Sequence, residues 1–170
     1  MTQKLANFMV GLFGGVAGSL IGKYLVIFLL SMVPILELRG GLIAASLLGL
    51  PMWQSFFVCF IGNVIPIPII LWFINPIFRK MRNWKHLGKV VLWCENKANS
   101  KKDKIENLKY LGLFLFVGIP VPGTGAWMGC LIAALLDMDK KKSLFAALLG
   151  VVLAGIIMLI FSYGILGRIF

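Results

Sequence analysis

Glu37 and Arg39 stand two residues apart inside an otherwise apolar stretch, Pro34-Ile35-Leu36-Glu37-Leu38-Arg39-Gly40-Gly41. An ionisable group in such surroundings is expensive to keep charged and marks a functional position by default. A carboxyl group flanked by apolar residues holds its proton more tightly when its site is dry, which suits a proton carrier. The planar fork of an arginine binds two oxygens of a phosphate or carboxylate at once. The same two side chains could instead serve the fold, by neutralising each other or by bonding backbone groups freed at a break.

A second constellation carries no charge: Ile119-Pro120-Val121-Pro122-Gly123-Thr124-Gly125-Ala126-Trp127. Pro120 and Pro122 remove backbone donors and stop a helix. Gly123 and Gly125 allow close approach to the backbone, and the N–H groups from Thr124 onward open a new helix. The positive end of a helix attracts anions without a charged side chain. Thr124 is expected to cap that helix. Trp127 can line a cavity or pack at an interface. Asn63 lies in an apolar segment with Pro66 and Pro68, where it can meet a ligand or tie to a kinked backbone.

Asp137 and Asp139 read as caps or turn residues rather than as a proton relay. Cys59, Cys94, Cys130 and His86 lack the spacing of a metal site or disulfide framework. The sequence has no hydrolase triad, phosphate loop or paired catalytic carboxylates, so an enzyme is not expected. No cofactor is expected beyond a coupled proton.

The elements that must position these residues come as a pair. Tyr24-Leu25-x-Ile27-Phe28-Leu29-Leu30-x-x-x-Pro34 is echoed by Tyr110-Leu111-x-Leu113-Phe114-Leu115-Phe116-x-x-x-Pro120 at an offset of 86. Gly40-x-Leu42-Ile43-Ala44-Ala45 then matches Gly129-x-Leu131-Ile132-Ala133-Ala134 at an offset of 89. In each copy a short apolar limb meets a break and a second short limb returns. Neither limb has the ~20 residues that a spanning helix needs, so each copy reads as a re-entrant hairpin. Irregular backbone at that depth must be buried in protein or line a wet cavity. Lys23 is expected to interrupt the first apolar segment, separating an N-terminal helix (1–23, with Gly14-x-x-x-Gly18-x-x-x-Gly22 as a packing face) from repeat 1 (24–78). Met52 to Phe78 and Ser143 to Phe170 are long enough to span.

Hydrophobic residues make up 60% of the chain and charged residues only 14%, which excludes an ordinary soluble domain. The formal net charge of +11 lies mostly in loops, the pattern of membrane topology rather than of nucleic-acid binding. Residues 79–109 hold ten Lys or Arg. Within them Trp84, Leu87, Val91, Cys94 and Ala98 recur at helical spacing, which predicts an amphipathic helix on an anionic cytoplasmic surface. With this linker and Lys140–Lys142 inside, hairpin one enters from outside and hairpin two (repeat 2, 110–170) from the cytoplasm. The expected fold is an all-α integral membrane protein with an inverted repeat, each copy a re-entrant helical hairpin plus a transmembrane helix. In this topology residues 6–22 must cross on roughly 26 Å of helix, and Arg168 ends outside. The expected location is a bacterial-type inner membrane, and a homodimer is compatible with so small a chain.

The Pro34–Gly41 motif, Gly62-Asn63 and the Ile119–Trp127 motif together resemble the small multidrug export protein family, over roughly residues 20 to 165. That family is similar to the wider DedA-like superfamily, which shares two opposed re-entrant hairpins. Its members are associated with proton-linked physiology and with returning polyprenyl-phosphate carriers across the membrane. The resemblance implies that Glu37 and Arg39 correspond to that superfamily's acidic and basic hairpin residues. The second hairpin here lacks the arginine expected near its break. The function expected is proton-coupled transport of an amphipathic anion such as a lipid phosphate, with Arg39 and the helix start after Gly123 holding the head group. The alternatives are export of small cationic drugs at Glu37, or a non-transporting assembly role.

Overall fold

The computed structural model describes residues 18–81, 92–93, 96, 108–121 and 123–166. The N-terminal segment up to residue 17, most of the basic linker with its Trp84–Ala98 stripe, Pro122 and Arg168 lie outside the described residues. Every regular element among the described residues is helical: α1 (Leu20–Met32), α2 (Glu37–Leu47), α3 (Met52–Val64), α4 (Pro66–Met81), α5 (Lys109–Gly118), α6 (Ala126–Leu135) and α7 (Lys140–Leu159), which ends in a π-helical stretch, Ile160–Leu166.

The chain forms two compact units, whose boundaries fall between Asn63 and Val64 and between Leu153 and Ala154. The first holds α1, α2, most of α3 and the end of α7; the second holds α4, α5, α6 and the start of α7. In the first unit α1 packs on α2, and α2 packs on the π-helical stretch. In the second, α6 packs on both α4 and α5.

Each hairpin limb stops for the expected reason. The residue before a proline is driven out of helical geometry. Val33, before Pro34, is extended at φ −74, ψ 133, and Ile119, before Pro120, at φ −81, ψ 122. Two expectations change. Lys23 does not interrupt a helix: α1 begins at Leu20, where Ser19 Oγ accepts from the Gly22 N–H at 3.0 Å, and continues through Lys23. The register of the returning limbs is 88, not 89. At 88, Gly41 pairs with Gly129, and a methyl at Gly41 would strike Ser31 and Ile27 just as one at Gly129 would strike Val117 and Leu113. The helix ends obey the same register. Leu48 and Leu50 N–H groups donate to Ala44 and Ala45 carbonyls, while Leu136 and Met138 donate to Ile132 and Ala133. Ser55 and Ser143, both buried, donate from N–H to Pro51 and Asp139.

The long helices follow the same plan. A methyl at Gly62 would lie 2.7 Å from the Phe28 carbonyl oxygen, and one at Gly150 would lie 2.8 Å from that of Phe114. These glycines let α3 and α7 reach backbone contact with the first limb of their hairpins.

Met52–Ile77 and Lys140–Gly164 are long and apolar enough to cross a bilayer, and only 39% and 44% of their most apolar stretches are buried. The core helix of a soluble protein would be mostly covered. Instead Trp53, Phe57, Ile61, Ile65, Ile69, Phe73 and Ile77, each four residues on from the last, are all exposed. So much exposed apolar surface suits hydrocarbon and not water. The Met52–Phe78 segment is broken only at Ile65, so that Pro66 opens α4 where its missing N–H goes unneeded.

Gly62→Ala and Gly150→Ala should each lower stability by about 1–3 kcal/mol, read as a lower midpoint of thermal unfolding in detergent. Gly18→Ala, with nothing within 4 Å of its added methyl, should leave the midpoint unmoved. Equal behaviour of all three would refute the close-contact role.

Candidate functional site

The break of hairpin one runs from Val33 to Leu36, and Glu37 is the first residue of α2. Its N–H donates to the Val33 carbonyl at 3.0 Å, and the Gly40 N–H donates to that of Leu36 at 2.7 Å. These two backbone bonds close the turn. The closure demands a left-handed residue, and Glu37 takes that conformation at φ 51. A residue with a Cβ pays for this geometry in strain of order 1–3 kcal/mol.

Register 88 shows what the strained position is in the other hairpin. Glu37 corresponds to Gly125, which sits at φ 136, ψ −177, a region open only to glycine. The following residues, Leu38 and Ala126, are both fully buried. Both units thus enter the returning helix through a residue at positive φ, a glycine in one and in the other a carboxylate-bearing residue in the left-handed region, against its steric preference. Glu37 is only 5% exposed, and it interacts electrostatically with the half-buried Arg39. By the same register Arg39 corresponds to Trp127, which is half-buried on α6.

The break of hairpin two, 119–125, is longer and uses glycine twice, with Gly123 at φ 79. Thr124 does not cap α6. The N-cap is Gly125, with no side-chain cap bond, and the Thr124 hydroxyl points back to the Val121 and Ile119 carbonyls at 2.7 and 3.0 Å. The cause is the backbone path: the residue entering α6 must take an angle only glycine allows, so the hydroxyl one position earlier is left to tie the loop. Pro120 is half-buried in this loop. Beside it lies a cavity of about 210 Å³ with Phe116, Ile119, Val121 and Thr124 among its walls.

Glu37, Arg39 and Asn63 thus belong to the first unit, and Pro120, Gly123, Thr124, Gly125 and Trp127 to the second. Asn63 is 3% exposed and its Oδ1 has no hydrogen-bond partner, so that oxygen does not tie to the kinked backbone.

Asp139 Oδ1 accepts from the Lys142 N–H at 2.9 Å, which caps α7, and Asp137 turns the chain at φ 49. Several polar ties escaped the sequence reading. Lys23 Nζ donates to the Leu48 carbonyl at 3.1 Å, at the free end of α2. The Tyr24 hydroxyl donates to Gln54, and Tyr163 to the Leu50 carbonyl at 3.1 Å. Ser46 Oγ donates to the Ser162 carbonyl at 2.8 Å where α7 widens into π geometry. Asn75 Nδ2 donates to the Ala134 carbonyl at 2.8 Å, holding α4 to the end of α6. The signal for Lys23 lay in the repeat itself, since Lys109 stands at the same place in the second copy. Cys59 and Cys130 are buried thiols, and no cluster of metal-ligating side chains occurs among the described residues.

Helices as the regular elements among the described residues, two of them of membrane length, with exposed apolar side chains and a buried acid at a helical break, make the build of an integral membrane protein. Residues 37–157, well over half of the chain, match the protein family described as Putative small multi-drug export protein, and the chain belongs to that family. No curated protein and no solved structure matches it.

The strain argument is testable without any activity. Glu37→Gly should be more stable than Glu37→Gln by about 1 kcal/mol, because both remove the charge and only glycine relaxes the turn. Gly125→Ala should lose about 1–3 kcal/mol. Unfolding midpoints in detergent give both numbers, and a less stable Glu37→Gly would contradict the left-handed assignment.

Proposed function

We propose that the protein is a proton-coupled membrane exporter in which Glu37 is the coupling carboxylate. The observation that carries this reading is a buried acid in a strained conformation, at a position where the second hairpin has glycine. A side chain kept against packing preference is kept for its chemistry. Protonation of Glu37 would leave the Arg39 charge without its counter-ion inside an apolar hairpin. That change favours a different arrangement of the break, which is the coupling a transporter needs. The driving force available is ~2.3 kcal/mol per charge per 100 mV.

The substrate class we assign is an amphipathic anion, a lipid phosphate such as a polyprenyl-phosphate carrier. Arg39 is the group suited to its head, because a guanidinium can bind two phosphate oxygens together. The DedA-like arrangement belongs to the same proposal: two re-entrant hairpins of opposite orientation in a bacterial-type inner membrane, with the basic linker cytoplasmic. Loop charge and the common packing plan of the two units support it. A second reading, export of lipophilic cations with Glu37 as cation and proton site, is favoured by the family description.

Vesicles containing the purified protein separate the two. If the anion reading holds, flipping of a labelled polyprenyl phosphate falls at least about tenfold in Arg39→Ala, a loss of ~1.4 kcal/mol. In Glu37→Gln, flipping persists but no longer responds to a pH gradient. If the cation reading holds, efflux of a lipophilic cation is lost in Glu37→Gln and kept in Arg39→Ala. Folded protein that moves neither compound sinks both readings.

A further inference from the structure

The second unit carries a groove of about 650 Å³ between α5 and α7, and the function proposed above makes no use of it. Tyr110 and Phe114 from α5 and Phe145 and Leu149 from α7 form apolar walls, while Lys141 and Lys142 stand at one end. The two helices run the same way: Lys142 Nζ lies 5.9 Å from the centre of the Tyr110 ring, and Gly150 meets Phe114 and Val117 further along. The groove is therefore basic at the helix starts and becomes apolar along its length. Phe145 is 65% exposed and Leu149 44% exposed, so the walls are open to whatever surrounds the helices.

The first unit supplies an internal comparison. Register 88 sets Trp53 and Gln54 opposite Lys141 and Lys142, and offset 86 sets Tyr24 opposite Tyr110. There the tyrosine hydroxyl donates to neutral Gln54; here the tyrosine ring faces an ammonium. The two parallel-helix seams share their packing and differ in charge. Packing accordingly does not require the lysine pair; its position fits the positive-loop rule, and beside an apolar groove it offers charge to an anionic head group.

We infer that this groove is a binding site for one anionic glycerophospholipid of the surrounding bilayer. Its phosphate sits at Lys141 and Lys142, and one acyl chain lies along Phe145, Phe114 and Leu149. The occupant must have a negatively charged head within one helical turn of an apolar tail, and must reach the groove from the side. A bilayer lipid meets both conditions. Basic pockets between membrane helices on the side of the positive loops hold acidic head groups for this reason. The volume lies within the range of small-molecule sites. This site is independent of the transport reading and needs only that the helices lie in a membrane.

The test is native mass spectrometry of the full chain released from micelles with equal amounts of phosphatidylglycerol and phosphatidylcholine. One phosphatidylglycerol should be retained in preference to phosphatidylcholine. Lys141→Gln with Lys142→Gln should cut that preference at least about tenfold, as expected from removing two lysines next to one head group. Lys80→Gln with Lys140→Gln, which removes equal charge from exposed positions outside the groove, should preserve it. Phe145→Ser should weaken retention with both lysines in place. The inference is overturned if the two double variants lose preference equally, since diffuse surface charge would then suffice. It is overturned as well if the native chain shows no preference, or if Phe145→Cys cross-links two copies efficiently, since a second chain would then fill the groove.

Discussion

At Gly62 and Gly150 a long helix comes so close to a hairpin limb that a methyl group would meet a backbone carbonyl at 2.7 or 2.8 Å. The rest of the fold depends on this approach. A hairpin of two limbs of ten to thirteen residues is too short to be a stable membrane span by itself. Between apolar helices in lipid there is no hydrophobic gain from association, so close van der Waals packing through small residues must supply the attraction. Gly41 and Gly129 do the same inside each hairpin, where an added methyl would collide with the first limb. Three helices are thereby brought together in each unit, with Ile27, Leu38 and Leu42 buried in the first and Leu113 and Ile132 in the second.

With that scaffold common to both units, the two breaks can diverge. The turn into the returning helix needs a residue at positive φ, and glycine is the inexpensive solution at Gly125. Glu37 is the costly one. Its carboxylate is buried and close to Arg39, so removing the strain by glycine would also remove a charge pair from an apolar hairpin. The longer break of hairpin two solves its closure with Gly123, Gly125 and the Thr124 hydroxyl, none of which can change charge. A response to protons can therefore come from one break and not from the other.

The ends of the first limbs were legible through Tyr24 and Tyr110, because a proline ten residues further on in each segment ends the helix by a local steric rule. The register of the returning limbs was harder to read. Gly40-Gly41 offers two alignments, and the one at 89 matches more side chains. Contact with Ile27 and Ser31, not identity, decides which glycine faces the first limb, and that contact is non-local. Lys23 resembled an interruption because a charge in an apolar run usually is one; its ammonium instead reaches the Leu48 carbonyl at the far end of the neighbouring helix. The Thr124 cap failed for a related reason, since composition names the capping residue but not the backbone angle that the entry requires. Strain at Glu37 follows from how tightly the chain turns after Pro34, which no single-residue preference reports. The amphipathic helix expected in the linker falls mostly outside the described residues.

The two units agree at some corresponding positions and differ at others. Corresponding places that touch within a unit keep their type: Gly41 and Gly129, Ala45 and Ala133, Ser55 and Ser143, Gly62 and Gly150. Some places that bear charge do not: Glu37 corresponds to Gly125, Arg39 to Trp127 and Trp53-Gln54 to Lys141-Lys142, whereas Lys23 and Lys109 agree. Packing constrains the glycines of the first set, where an added methyl would collide with a neighbour. The second set is free of that constraint, and its members differ in the property that matters most in an apolar medium, since each buried or lipid-adjacent charge must find a counter-charge, a proton or a ligand. The acid and its arginine meet that requirement within the first unit. The lysine pair, with Lys142 over the Tyr110 ring, stands at the end of an apolar groove, where an anionic head group would answer its charge.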